Sequence, residues 1–386
     1  MMADTQNVVE TARTIAAEIA PRGAEIEALR RLPGDIAMRL GEAGFYRMYV
    51  SESAGGLEVP PSIAAQVVEA VAEGDAASAW VTFIGATTGL AFGRLTDDAT
   101  RELLANPANL VSGVFAALGT ATKVAGGFRV TGTWQWGSGS GNAQWVGGGC
   151  VLVEDGQPLT NSAGLPRNHM LFFPAADVIS LDTWHVAGLS GTGSTAFQVK
   201  DLFVPEHRAA GYQVRSPPDR PLFRFPGFSP LAQGVGAVGL GIARASISEL
   251  MTVAGEKKRG GSSTPLAEKP YVQMEIARAE ARLRSARAFF YDAIDAGWEA
   301  ANAGGPVTIH HSRDMRLATW HAMQESAAVV DMMYNLAGGS SIYDISPLQR
   351  QFRDVHVATQ HFMVSPMIAE TAGRLYLGLP TMTAGF

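Results

Sequence analysis

The chain has 386 residues, enough for two or three domains or one large layered fold. Hydrophobic residues make up 47% and charged residues 17%, against about 25% charged in an average soluble protein, so much of the surface is expected to be buried or covered by other subunits. A net charge of −6 gives no electrostatic footprint for nucleic acid or anionic lipid, and neither is expected as a partner. The single cysteine, Cys150, excludes an internal disulfide and a thiolate cluster, and fits a reducing, cytoplasmic setting. Glycine is in excess, 43 residues, and shows no collagen period.

The first residues, MMADTQNVVETARTIAAEIAPRG, carry acids and lack a basic flank before an apolar run; they predict an amphipathic helix rather than a secretory signal. Residues 1–108 read as helical, punctuated by Pro33, Ser53–Gly56 and Pro60-Pro61. From 109 to 213 the period changes to alternation, as in Phe128, Val130, Trp134 and Trp136 and again in Phe197 and Val199, which predicts a β-rich middle. The proline-rich RSPPDRPLF is a connector. Beyond it, over 214–386, helical stripes such as Ile276, Leu283, Ala286 and Phe290 predict a bundle. Helices, then strands, then helices make an α+β fold. The apolar window Leu231–Leu250 is broken by Gln233, Arg244 and Glu249, so no membrane span is expected there.

Gly234–Gly239 matches G-x-G-x-x-G, but PGFSPLAQ precedes it where a dinucleotide site needs a strand; a helix with small residues for close packing is the preferred reading. The histidines lack metal-ligand spacing: His310-His311 point about 100° apart on a helix, and His356 and His361 are five apart. No metal is expected. In GTWQWGSGSGNAQW, glycines and serines follow two tryptophans, so a planar heterocycle could lie against Trp134 and Trp136 with Ser138 and Ser140 as polar partners. Gly188–Ser194 has the same character. Core aromatics and ordinary hairpin turns are the alternative.

The segments AGFYRMYVSESAGGLE, EGDAASAW, GGFRVTGTWQW, DTWHVAGLSGTGSTAFQVKDLFVPEHR, LAGGSSIY and QRQFRDVHVATQH occur in the order seen in the acyl-CoA dehydrogenase superfamily, which the chain resembles over nearly its whole length. The resemblance implies an N-terminal helical domain, a middle β-barrel-like domain and a C-terminal four-helix bundle, with flavin between the last two, in a homotetramer. A dehydrogenase of this family needs a carboxylate base to take a proton alpha to a thioester. The common position for that glutamate, eight residues past Arg353-Asp354, is Phe362 here, and between Pro221 and Ser248 there is no Asp or Glu to serve from the first bundle helix. The aspartate of nitroalkane oxidases is missing too.

W-x-W-x-Ser-Gly at Trp134–Gly139, the loop Trp184–Ser194, and a histidine seven residues after Arg353-Asp354 resemble instead the oxygenase components of two-component flavin monooxygenases, the 4-hydroxyphenylacetate hydroxylase group. That resemblance implies reduced flavin (FMNH2 or FADH2) from a separate NAD(P)H-dependent reductase, O2, a C4a-hydroperoxyflavin, and hydroxylation of an aromatic or heteroaromatic small molecule such as a phenol or indole. An amine or amino-sugar N-oxygenase, and an acyl-CoA dehydrogenase with an atypical base, are the alternatives. His361 is expected to face substrate as base or hydrogen-bond partner, the alternative being a core histidine. Ser138 is expected to contact a substrate polar group, or else flavin or a turn. Thr192 and Ser194 are matched to the flavin near N5, and Trp136 to the isoalloxazine or its phosphate. Gly338 and Gly339 resemble glycines that let the flavin phosphate approach a neighbouring bundle. Arg259 and Gln273 resemble positions reaching an adenine diphosphate, although RGGSSTPLAEKP departs from the usual pattern. Phe115 and Phe225, with Phe223 and Phe228, are candidate walls for an aromatic substrate.

Overall fold

The computed structural model describes residues 5–160, 164–214, 216–257 and 263–383. The chain opens with α1 (Thr5–Ile19), whose buried Val9, Ala12, Ile15, Ala16 and Ile19 follow the spacing of one amphipathic face. Then come α2 (Gly23–Leu29), α3 (Gly34–Glu42), α4 (Pro61–Gly74), α5 (Ala76–Thr88) and α6 (Asp97–Leu103). Every residue of α5 is buried, which explains a composition apolar on all sides. Asp75 caps it by accepting the Ser78 N–H at 2.7 Å.

The middle of the chain is one seven-stranded sheet. Strands β1 (Val111–Val124) and β2 (Gly127–Trp134) form an antiparallel hairpin, and β1 also runs parallel to β3 (Trp145–Glu154). β3 pairs with β4 (Gln157–Pro158) and β5 (Asn168–Pro174); β2 pairs with β7 (Ala196–Pro205), and β7 with β6 (Ile179–Leu181). Between Val114 and Gly119 the β1–β3 register shifts, and this irregular stretch turns toward the site described below.

The sheet has its own core around Trp134, fully buried, stacked on Phe197 with ring centroids 5.1 Å apart and donating to the Gly149 carbonyl at 2.9 Å. A Cβ on Gly132 or Gly148 would lie 2.6 Å from the Trp134 indole. Trp134 is thus a core residue and not a platform for a bound ring, and neighbouring glycines make room for it. Trp136 does not share its face: the strand ends at Trp134, and Trp136 turns out with φ of 59° and is 67% exposed.

After the short α7 (Pro221–Arg224) the bundle consists of α8 (Ser229–Glu256), α9 (Pro270–Asn302), α10 (Ile309–Ala337), α11 (Pro347–Ala358) and α12 (Pro366–Tyr376). Most of its buried residues join those of α1 to α5 in one core, while Ala293, Ala301, Met315 and Ala318 form a smaller cluster of their own. The G-x-G-x-x-G stretch lies inside α8 with no strand before it. A Cβ on Gly234 would meet Phe83 of α5 at 2.5 Å, one on Gly236 would meet Phe290 of α9 at 2.9 Å, and one on Gly239 would meet Met323 of α10 at 2.7 Å. These glycines bring three helices close to α8. By length and composition alone, Ala76–Arg94 and Ser229–Gly255 are apolar enough to cross a membrane, contrary to the expectation for the second. Their apolar windows are 78% and 61% buried inside the fold, and that packing is what the composition serves.

Candidate active site

A cavity of about 780 Å3 opens where the helical N-terminal part, the sheet and the bundle meet. From α5 it takes Trp80, Ile84, Thr87 and Thr88; from β1, Gly113 to Ala116; from the turn after β2, Gln135, Trp136 and Ser138. Trp184, Leu189, Thr192 and Ser194 come from the loop before β7, Phe228 and Leu231 from the start of α8, and Val357 and Gln360 to Phe362 from the end of α11. The volume and the apolar walls with few polar groups are those of a small-molecule site.

Seven of the residues singled out by sequence meet here: His361, Ser138, Thr192, Ser194, Trp136, Phe115 and Phe228. Phe225 does not. It is 3% exposed, in a separate cluster with Ala293, Met315 and Ala318, and edge-on to Trp298, because it precedes α8 on the side facing α9. Phe223 packs on the main core, whereas Phe228 reaches the cavity. Ser140 is not part of the cavity wall; its N–H closes a turn onto Gly137. Gly338, Gly339 and Gln273 also lie elsewhere. Lys257, at the end of α8, donates to the Ala337 carbonyl and to Ser340 Oγ, which ties the Gly338-Gly339 turn there. Gln273 Nε2 donates to the Ala267 carbonyl at 3.0 Å beside that turn. At 1.5 Å per residue, Lys257 is about 39 Å along α8 from Leu231 in the cavity. Arg259 lies outside the described residues.

Three hydroxyls form a chain whose direction is fixed at its Leu189 end. Trp80 Nε1–H donates to Ser138 Oγ at 3.2 Å, and Thr192 Oγ1 donates to the Leu189 carbonyl at 2.8 Å. Between them Ser138 and Ser194 are 2.6 Å apart, and Ser194 and Thr192 2.7 Å. A carbonyl can only accept, so the Thr192 proton is spent on Leu189, Ser194 donates to Thr192 and Ser138 to Ser194, while Ser138 accepts from Trp80. Each hydroxyl has spent its proton and keeps a lone pair. The chain is a row of acceptors.

The loop carrying Leu189 and Thr192 holds its shape through glycine and one buried acid. Leu189 has φ of 53° and Gly193 the same value. A Cβ on Gly188 would lie 2.5 Å from the Arg353 carbonyl carbon, so this loop must touch α11 there. Asp354 accepts the Leu189 N–H at 2.6 Å. Burial, with the Asp75 carboxylate nearby, pushes the Asp354 carboxyl up to about 7.

His361 Nδ1 accepts the Met363 N–H at 3.3 Å, which leaves the proton of the neutral ring on Nε2. Burial and the Arg316 guanidinium lower His361 to about 4. The ring is therefore a neutral donor near pH 7 and a poor proton acceptor, which narrows the expected choice between base and hydrogen-bond partner. Trp80 packs edge-on to it with centroids 5.6 Å apart, so one indole orients both His361 and Ser138. Trp80 and Trp184 lie in segments that carry the resemblance, EGDAASAW and Trp184–Ser194, but the sequence gives neither a site role; around Trp80 the neighbours are small enough for a buried helix to present one large ring.

Where a dehydrogenase of the resembled family has its glutamate, Phe362 stands in the cavity wall, and among the described residues no Asp or Glu lines it. A second cavity, about 400 Å3, lies between α1, α4, α8 and α9 among mostly ion-paired side chains such as Arg244–Glu280 and Arg287–Glu69, and holds none of the expected site residues.

The cavity fits a flavin ring on three observations: an exposed indole at Trp136, a row of hydroxyl acceptors suited to a ring N–H, and apolar walls. Comparison with known proteins agrees. Residues 2–105 match the family model described as acyl-CoA dehydrogenase, N-terminal domain, and residues 233–366 that of the C-terminal domain. An indole-3-acetate monooxygenase of Pseudomonas putida is 34% identical over 92% of this chain and 89% of its own length. A flavin-dependent monooxygenase oxygenase subunit, HsaA of Mycobacterium tuberculosis, is 25% identical over 98% of this chain and 97% of its own. The structure of XiaF from Streptomyces in complex with FADH2 and glycerol superposes with a TM-score of 0.87 at 25% identity, covering 98% of this chain and 97% of that one. The chain belongs to the acyl-CoA dehydrogenase superfamily, on its branch of flavin-dependent monooxygenases that use reduced flavin and O2.

Proposed function

We propose that this chain is the oxygenase component of a two-component system that hydroxylates an aromatic or heteroaromatic small molecule of phenol or indole type. The observation that carries this reading is the wall of the cavity: Phe362 and neutral His361 in place of a carboxylate, facing a row of hydroxyl acceptors. When bound, reduced flavin supplies two electrons and, with O2, one oxygen atom for the ring C–H while the other leaves as water. Thr192 and Ser194 would accept a flavin N–H, and Trp136 would cover the ring. Ser138 would accept from the substrate's polar group while His361 Nε2–H donates to an oxygen beside it. Ile84, Val114, Leu231 and Val357 would keep water out.

Relatives named as oxygenase subunits support a separate flavin reductase as partner. A homotetramer is part of the same reading. Gly338 and Gly339 are too far along α8 from the cavity to touch the flavin of their own protomer and would serve a neighbour's. Ile342, Tyr343 and Ile345, just after that turn, are 63%, 64% and 92% exposed and would be covered in the assembly.

The test supplies the protein with enzymatically reduced flavin, isotopically labelled O2 and panels of phenols, indoles and amines. A product one labelled oxygen heavier from a phenol or indole supports the reading, and oxygenation of amines alone would replace it with N-oxygenation. Bleaching of bound oxidised flavin by an acyl-CoA without oxygen would establish a dehydrogenase instead.

A further inference from the structure

Resting on that reading, we infer that Arg316 of α10 is a positioning residue for oxygenation: it closes the turn after α11 and so fixes the edge that His361 presents to the cavity. The first ground is a missing donor. The turn Phe362–Val364 lies between α11 and α12, and its backbone bonds run from Val364 N–H to the His361 carbonyl and from Ser365 N–H to the Phe362 carbonyl. The next carbonyl in that series, of Met363, would take the N–H of Pro366, and proline has none. Arg316 stands in for it. Its Nη2 donates to the Met363 carbonyl at 3.4 Å and its Nη1 to Met363 Sδ at 2.8 Å, with Arg316 2% and Met363 1% exposed. Met363 is gripped at its carbonyl and its side chain, and its N–H donates to His361 Nδ1 at 3.3 Å. That bond leaves the ring proton on Nε2.

The second ground is charge. An imidazolium carries a proton on both nitrogens, so its Nδ1–H would meet the Met363 N–H, donor against donor. Arg316 opposes the same state. Burial lowers Arg316 only to about 10, so it remains a cation at neutral pH, and after burial it is the group that lowers His361. Charges on the other elements around the ring are held elsewhere. From α5 the ring meets Trp80, and α8 has no charged residue before Arg244. On α11, Arg353 is bonded to Glu27, Asp354 to the Leu189 N–H and His356 to Asp331. On α10, Arg313 pairs with Asp314; on α12, Arg374 donates to the Pro380 carbonyl and Glu370 is exposed. Among the described residues no Lys, Arg, Asp or Glu lines the cavity.

Three variants separate the two grounds. Arg316→Lys keeps charge and donor, Arg316→Gln keeps a donor without charge, and Arg316→Met keeps neither. A protonated imidazole quenches an adjacent indole, so Trp80 reports on His361 in the full chain without flavin or substrate. The measured quantity is the loss of tryptophan fluorescence between pH 8 and pH 5.5, less that of the same variant carrying His361→Gln. It is expected to grow at least about 3-fold in Arg316→Gln and Arg316→Met and to stay at the parent's level in Arg316→Lys. At pH 7.5, kcat/KM with reduced flavin and a phenol or indole is expected to fall about 10-fold in Arg316→Met and by less in the other two. Added to His361→Ala, Arg316→Met should cost less than about 2-fold, because the two residues act as one unit.

Unchanged quenching in both uncharged variants overturns the inference. So does a loss from Arg316→Met that is undiminished in the His361→Ala background, the mark of a merely structural role. Should Arg316→Met not fold, Arg316→Gln against Arg316→Lys decides both measurements. The fluorescence needs no turnover, so its failure leaves the oxygenase reading standing. A parent that oxygenates no phenol or indole sinks that reading, while the quenching still decides how Arg316 acts on His361.

Discussion

Asp354 of α11 holds the backbone N–H of Leu189, and the Leu189 carbonyl in turn receives the Thr192 hydroxyl, so a buried acid that never touches the cavity sets the end of the hydroxyl chain inside it. Asp354→Asn keeps an acceptor for that N–H, and Asp354→Ala leaves it unpaired in a buried place. The alanine variant is expected to lose flavin affinity about 10-fold while the asparagine variant stays near the parent, in an anaerobic titration with reduced flavin.

The same carboxyl has a linkage consequence. With its folded-state value raised to about 7, the native protein binds more protons than the unfolded chain between about 4 and 7, so this group's contribution to stability falls as pH rises through that window. Asp354→Asn removes the cost of the buried charge. Its melting temperature relative to the parent is therefore expected to rise between pH 6 and pH 8, by a few degrees at most, in paired thermal melts.

His361 titrates in the opposite sense. Because folding lowers it to about 4, the unfolded chain binds more protons between about 4 and 6.5, and stability is lost as pH falls through that range. Between pH 6.5 and 9 the ring stays neutral, so oxygenation is expected to show no titration assignable to His361. His361→Gln, which retains an N–H donor, is expected to keep more activity than His361→Ala. The alanine variant should lose about 10-fold in kcat/KM with flavin binding little changed. Equal loss of flavin binding and turnover would make the residue structural.

The α8 glycines make a prediction about packing. Gly234→Ala puts a methyl 2.5 Å from the buried Phe83 ring and is expected to cost about 1 to 3 kcal/mol. Gly34→Ala, at the start of α3 with nothing within 4 Å, is expected to be neutral or mildly stabilising. Denaturant melts of the two variants check the contrast.

Assembly and flavin retention are expected to fail together. Ile345→Asp places a charge on an almost wholly exposed apolar side chain and leaves the protomer's own contacts intact. Light scattering should show smaller particles, and flavin affinity should fall with them. Smaller particles with unchanged flavin affinity would show that the Gly338-Gly339 turn serves no neighbouring site.

Much of this protein follows from local pattern. Alternation at Phe128, Val130 and Trp134 makes a strand with one buried face, the stripe through Leu283, Ala286 and Phe290 makes a helix, and the empty acid positions at Phe362 and along α8 survive as an apolar cavity wall. These depend on residue type and spacing, which a linear chain displays. What the chain could not display is which side of a turn a residue leaves by. Trp134 and Trp136 look equivalent in sequence, yet one fills the sheet core and the other turns outward at a left-handed φ. Phe225 and Phe228 are three apart on one connector and go to different places. The direction of the hydroxyl chain was also out of reach. It depends on a carbonyl from the loop before β7, held in place by a carboxylate from α11, arriving within hydrogen-bond distance of Thr192, and only the packing of helices on the sheet brings them together. Sequence determined which chemical groups are present and which base is missing; tertiary structure decided which of them face one another, because the polarity of a hydrogen bond belongs to a pair and not to a residue.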